Sequence, residues 1–174
     1  MRVHHVERSR SKLTCDKCSA TIRKGQPYRW AQAYRSRKKV RCDKLACAFR
    51  PSDLTGSDKL SRVYAAQEAA EDAISGAEDC DAFVSLCGDM ATELREVADE
   101  YREAAEAMGG AGQEMEEKAD NLEGWADEVE SACSNLDAFV EHEGSGKDEA
   151  GQTREEWLEE ARAAVQDAIG NCPL

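Results

Sequence analysis

The chain has 174 residues, 6% of them aromatic and 34% charged, with a formal net charge of −13. This composition excludes a thick globular core, and with no apolar run near about 20 residues the sequence offers no membrane-spanning helix. The net charge conceals two opposed parts: residues 1–62 hold 17 Lys and Arg against 5 Asp and Glu, whereas residues 63–174 hold 6 against 31.

The opening MRVHHVERSRSK lacks the apolar section of a secretion signal. It points to a cytoplasmic or nucleoid-associated protein, with a virus particle assembled in the cell as the second location. His4 and His5, in no paired spacing, read as part of a flexible arm rather than as ligands. Beyond them, Cys15-x2-Cys18 and Cys42-x4-Cys47 form two close pairs within 33 residues. Two such pairs deliver four ligands to one tetrahedral ion with little chain to order between the members of each. Structural zinc is the expected cofactor, since four thiolates leave no open position for a catalytic water. Iron in a rubredoxin-like site or an iron–sulfur cluster uses the same ligand type and stands as the alternative. A module of about 55 residues buries too little surface to be stable alone, so the metal serves as its core.

Between the pairs there is room for an antiparallel hairpin. Gly25-Gln26-Pro27 turns the chain, and period-two alternation sets Tyr28, Trp30 and Tyr34 on one side with Arg29 and Arg35 opposite. The run Arg35-Ser36-Arg37-Lys38-Lys39-Val40-Arg41 packs five cations into seven positions. Arg29, Arg35, Arg37, Lys38, Lys39 and Arg41 are therefore the candidate nucleic-acid-binding residues, with phosphates as their target. The competing readings make the aromatic residues a small core and the cations a solvated turn or a dock for the chain's own acidic part.

Cys15, Cys18, Ile22, Lys24 and Gly25 spell C-x2-C-x3-I-x-K-G, followed by a basic hairpin and a second ligand pair trailed by Phe49. In this stretch of about 40 residues the chain resembles the zinc fingers of poly(ADP-ribose) polymerases. The resemblance implies a treble-clef-like or ribbon-like zinc fold and binding to DNA breaks. That family's second pair is His-x2-Cys, where this chain has Cys42-x4-Cys47.

Residues 51–57 read as a connector ending in Ser57, a helix N-cap. From residue 80 the heptad period is clean: Cys80, Cys87, Leu94, Tyr101 and Met108 recur every seven residues, with Val84, Ala91, Ala98 and Ala105 between them. Val63, Tyr64, Ala70, Ile74 and Ala77 extend the seam upstream, with Gly76 as a weak point. This predicts one helix over about 58–108, a glycine turn at 109–112, a second helix over about 113–141 and, after the Thr153–Glu156 capping box, a third over about 153–170. Cys80, Cys87, Cys133 and Cys172 are scattered through this part and read as reduced thiols, small core residues rather than members of a disulfide framework. Disulfide pairing is the alternative.

The expected architecture is thus a small α+β zinc finger over residues 1–55, treble-clef-like or zinc-ribbon-like. An all-α antiparallel helical hairpin or three-helix bundle follows over residues 57–174. No glycine-rich phosphate loop, nucleophile–base arrangement or HExxH is present, so neither an enzyme nor a small-molecule substrate is expected. The expectation is an accessory protein that contacts nucleic acid through its zinc module and a protein partner, or a second copy, through coiled-coil-like acidic helices. The alternative is an adaptor, for example a minor viral particle component or host-factor binder, using the acidic helices as a DNA-like surface.

Overall fold

The computed structural model describes residues 2–32 and 37–174. The chain divides into two units, Met1–Ala65 and Ala66–Leu174.

In the first unit, strands β1 (Val3–Val6), β4 (Tyr28–Ala31) and β5 (Lys39–Cys42) form an antiparallel sheet in the order β1-β4-β5. A second ribbon pairs β2 (Leu13–Thr14) with β3 (Thr21–Ile22). The expected hairpin is β4–β5, with Tyr28 opposite Cys42 and Trp30 opposite Val40, so its register delivers a metal-pair cysteine to a fixed place. Gly25, at φ 89°, takes the left-handed conformation that the turn into β4 requires. His4 and His5 are not a flexible arm; they lie in β1, opposite Trp30 and Arg29. The ladder of that pairing holds Val3–Val6 in the sheet. A 3-10 turn (Leu45–Cys47) and the short helix α1 (Pro51–Leu54) lead to α2 (Asp58–Ile74), whose first turn is capped by Ser57 Oγ accepting from the Leu60 N–H at 3.4 Å.

The helical unit contains the end of α2 together with α3 (Cys80–Met108), α4 (Gln113–Ser134) and α5 (Arg154–Gly170). The single helix expected over 58–108 is two helices, because Gly76 weakens the chain and Asp79 then caps a new start, accepting from the Ala82 N–H at 2.9 Å. Arg162 donates to the Ser75 and Ala77 carbonyls and Arg154 to that of Glu78, which satisfies the carbonyls freed by the break. The glycine turn forms where expected, over Gly109–Ala111 and Gly112. A Cβ on Gly112 would lie 2.4 Å from the Ala105 carbonyl oxygen, so only glycine lets α4 start this close to α3.

The α3–α4 pair is antiparallel around Phe83, Leu94, Val97, Leu122 and Val129, all fully buried. Alanines 91, 98, 119 and 126 between them allow close approach of the backbones. α5 covers this hairpin: Trp157 meets Phe83 edge to face, and Trp125 of α4 donates its indole N–H to the Ala168 carbonyl at 2.8 Å. The second helix ends at Ser134 rather than near 141. The following segment runs out to meet α5, where the buried Trp157 indole donates to the Asp137 carbonyl at 2.9 Å and Phe139 packs on its ring. Among the described residues no helix is long and apolar enough to cross a membrane.

Candidate metal centre and basic surface

Cys15 and Cys18 sit on the turn between β2 and β3. That turn closes by Ser19 N–H to Cys15 O and Cys15 N–H to Ala20 O, both 2.9 Å, with Ser19 at φ 56°. The tight reversal turns both thiols to one side. Cys42 ends β5, and the Leu45–Cys47 turn brings Cys47 back beside it, so the longer x4 spacing is taken up by one 3-10 turn.

The four sulfurs all lie within 4.8 Å of one another. A tetrahedral zinc ion with bonds of about 2.3 Å sets its sulfurs about 3.8 Å apart. Cys18 Sγ and Cys42 Sγ are separated by 3.8 Å, so the donor set fits a structural zinc site. Cys15, Cys42 and Cys47 are buried and Cys18 is exposed. With Ile22 these three form the buried cluster of the unit, against which Leu13, Tyr28 and Val40 pack; its core is mostly sulfur.

The thiols are not equivalent. Burial works against the Cys15 thiolate, yet hydrogen bonds from the backbone of Cys18, Cys42 and Lys17 together outweigh it and lower the thiol to about 6. Burial, and then hydrogen bonding with the three neighbouring cysteines, pushes Cys47 up to about 12. One thiolate is ready near neutral pH, whereas Cys47 would have to lose its proton to solvent before its sulfur could bind a metal, so ion binding and proton release are linked.

The cations nominated from the sequence do not form one free surface. Arg29 pairs with Asp43 at 3.2 Å, and Arg37 with Asp16 at 3.6 Å. Arg41 is 7% exposed; its guanidinium pairs with Asp53 and lies 5.5 Å from the Phe49 ring. Lys39 donates to the Asp53 carbonyl at 2.9 Å. Asp16 also accepts from the Val40 N–H, tying the first cysteine turn to β5. Arg37, Lys38 and Lys39 remain exposed, while Arg35, like Tyr34, lies outside the described residues. Sequence reasoning missed the acids at 43 and 53, which only the β4–β5 register and α1 bring to the cations.

Tyr28 and Trp30 share one side of the sheet, as alternation requires. The Trp30 ring stacks on His4 at 4.1 Å with planes 10° apart, and Lys38 Nζ stands 4.0 Å from its centroid. Its π-surface is therefore already engaged within the unit.

Elsewhere, Cys87 of α3 is joined to Cys133 of α4 by a disulfide, with Cα atoms 6.5 Å apart. The expectation of separate reduced thiols is corrected for this pair. Both fall on core seams, and the antiparallel register sets them face to face. Cys80 and Cys172 are free; burial, and after it the neighbouring aspartates, raise the Cys80 thiol above its ordinary value.

No protein-family model, curated protein or solved structure matches the chain. The four-cysteine cluster is a zinc-binding motif in the general sense.

Proposed function

We propose that this is a non-enzymatic, zinc-organised accessory protein that contacts nucleic acid through its basic unit and a protein partner or second copy through its acidic helices. One observation carries the reading. Residues 1–62 hold 17 cations against 5 acids, and three of those acids, Asp16, Asp43 and Asp53, are already paired inside the unit. A large uncompensated positive charge on a frame held by one ion suits the phosphate backbone, which asks for cations at a fixed spacing and little else. The local likeness to the zinc fingers of poly(ADP-ribose) polymerases agrees with this direction, and break recognition is its narrowest form.

The test uses full-length, zinc-loaded protein titrated against duplex DNA, single-stranded DNA and RNA at several salt concentrations. The expected result is binding to at least one of them that weakens steeply with salt and disappears when zinc is removed. Absence of salt-sensitive binding to all three would sink the proposal.

A second reading is supported by the helical part. Over residues 63–174 there are 31 acids and 6 bases, and Arg95 and Arg102 each bridge more than one carboxylate. The helices thus carry a DNA-like charge that a basic protein would accept, the arrangement of an adaptor. Retention on a basic protein target that survives zinc removal is the result that favours it.

A further inference from the structure

Among the described residues, Arg2, Lys17 and Lys44 of the first unit are exposed without an ion pair, but the largest group of such cations that the fold holds together lies on a different edge from the one its sequence advertises. In the β4–β5 region Arg29, Arg37, Lys39 and Arg41 have carboxylate partners and Lys38 covers Trp30. By contrast, Arg8, Arg10, Lys12, Arg23 and Lys24 are all exposed, and among the described residues none has an ion pair.

These five come from two segments that the fold holds side by side. Leu13 pairs with Ile22 and Thr14 with Thr21. The same antiparallel alignment continues to Ser9, whose N–H donates to the Gln26 carbonyl and whose carbonyl accepts from the Gly25 N–H, both at 2.9 Å. Its hydroxyl donates to the Arg23 carbonyl at 2.6 Å. Ser9 is 4% exposed, so a buried polar clamp flanked by Arg8 and Arg10 fixes that segment to the turn bearing Arg23 and Lys24. Ile22, next to Arg23, is anchored in the sulfur core, which links the rigidity of this edge to the metal.

We infer that this edge, formed by Arg8, Arg10, Lys12, Arg23 and Lys24, makes the larger share of the phosphate contacts to nucleic acid. The inference rests on the nucleic-acid reading above. Within residues 7–14 and 21–26 the only acid is Glu7. The exposed large apolar side chains of the described chain, Leu45, Val84, Met108 and Val140, all lie elsewhere. Protein interfaces gather around buried aromatic or aliphatic anchors, which this edge lacks, whereas a phosphate backbone needs none.

Five phosphate contacts on duplex DNA correspond to a slope of log affinity against log salt of about −4.5, and to a loss of several-hundred-fold between about 50 and 200 mM salt. The test compares two variants of the full-length, zinc-loaded protein on one labelled duplex, with zinc content measured in each. The first carries Arg8→Gln, Arg10→Gln, Lys12→Gln, Arg23→Gln and Lys24→Gln; the second carries Arg37→Gln, Lys38→Gln and Lys39→Gln. The first is expected to lose at least about 100-fold in affinity at about 100 mM salt, with most of its slope, and the second less than about tenfold. Arg8→Lys, Arg10→Lys and Arg23→Lys together, which keep the charge, should leave the slope unchanged. If the fivefold variant fails to load zinc, Lys12→Gln and Lys24→Gln singly should each reduce the slope by about 1. Duplex binding that survives the first set and is lost with the second, or equal losses from both, overturns the inference and leaves the nucleic-acid reading standing. If the wild-type protein binds neither DNA nor RNA, the reading itself has failed.

Discussion

Around the cysteine cluster of residues 1–65 the buried side chains are Cys15, Cys42, Cys47 and Ile22, while in residues 66–174 they include Phe83, Leu94, Val97, Leu122, Val129, Val165 and Ile169. The first set buries little hydrocarbon and gathers ligand atoms; the second buries large aliphatic and aromatic groups along heptad seams. The first unit therefore has the donor set for an ion where a core would be, whereas the second is held by hydrocarbon packing together with the Cys87–Cys133 disulfide. The difference also governs how each uses charge. A unit that lacks a large apolar core draws on ion pairs such as Arg41–Asp53 to hold its sheet to α1, whereas the helical unit keeps its charges on the outside.

Removing the metal tests this contrast most severely. Structural zinc in small domains contributes an apparent ~10–16 kcal/mol, more than a unit of this size has to spare. With excess chelator, amide hydrogen exchange should reach unfolded rates across β1–β5, while α3 and α4 keep their protection and most of the far-ultraviolet helical signal remains. Substitution Cys15→Ser or Cys47→Ser should act in the same direction. Protection of β4 and β5 that persists in metal-free protein would break the comparison, and so would helices that melt together with the zinc unit.

Next in size is the buried ion pair. Arg41 and Asp53 have side chains only 9% and 18% exposed, so Asp53→Ala leaves a guanidinium in a poorly solvated place, at a cost of about 3 kcal/mol. Because metal binding and folding are one process here, that cost should appear as zinc affinity about 100-fold weaker in chelator competition. Asp43→Ala removes the partner of Arg29 from a site where Asp43 is 54% exposed, and should weaken zinc by less than about tenfold. Equal effects from the two substitutions would show that burial is not what makes the Asp53 pair matter.

The parts legible in the sequence are those specified by local chemistry. The cysteine spacings, the Gly109–Gly112 turn and the Thr153–Glu156 capping box act within a few residues of themselves, and each appears where its pattern lies. The seam becomes sharp at Cys80 because a helix starts there, after the Asp79 cap. The break before it was hidden, since the seam continues through Ala70, Ile74 and Ala77, and the freed carbonyls are satisfied by arginines 76 to 87 residues away. The early end of α4 has a similar cause: Trp157 needs an acceptor for its indole, and the segment after Ser134 supplies one. At the basic surface, composition gave the excess of cations but not which of them are free. That depends on the β4–β5 register, on the position of Asp53 in α1 and on the Ser9 clamp. The pairing of Cys87 with Cys133 likewise follows from the antiparallel register, which heptad positions alone do not give.

The smallest effect sharpens the comparison from the helical side. Arg95 of α3 makes two hydrogen bonds to Glu130 of α4, at 2.7 and 2.8 Å, and one to Asp127 at 2.7 Å. The hydrogen bonds from Arg95 hold the Glu130 carboxyl below its ordinary range. A carboxylate lowered in the folded state stabilises it fully above the unfolded pKa and loses that contribution as pH falls through the folded one. The pair therefore helps at neutral pH and fades in acid. Arg95 is 37% and Glu130 41% exposed, so solvent screens the interaction and Glu130→Gln should cost less than about 1 kcal/mol near neutrality. The difference between wild type and variant in thermal unfolding should shrink at high salt and again in acid, where the wild-type carboxyl is itself protonated. A loss of about 3 kcal/mol, unchanged by salt, would mean that α3 and α4 are joined by charge rather than by Leu94, Val97, Leu122 and Val129, and the contrast between the two units would have to be redrawn.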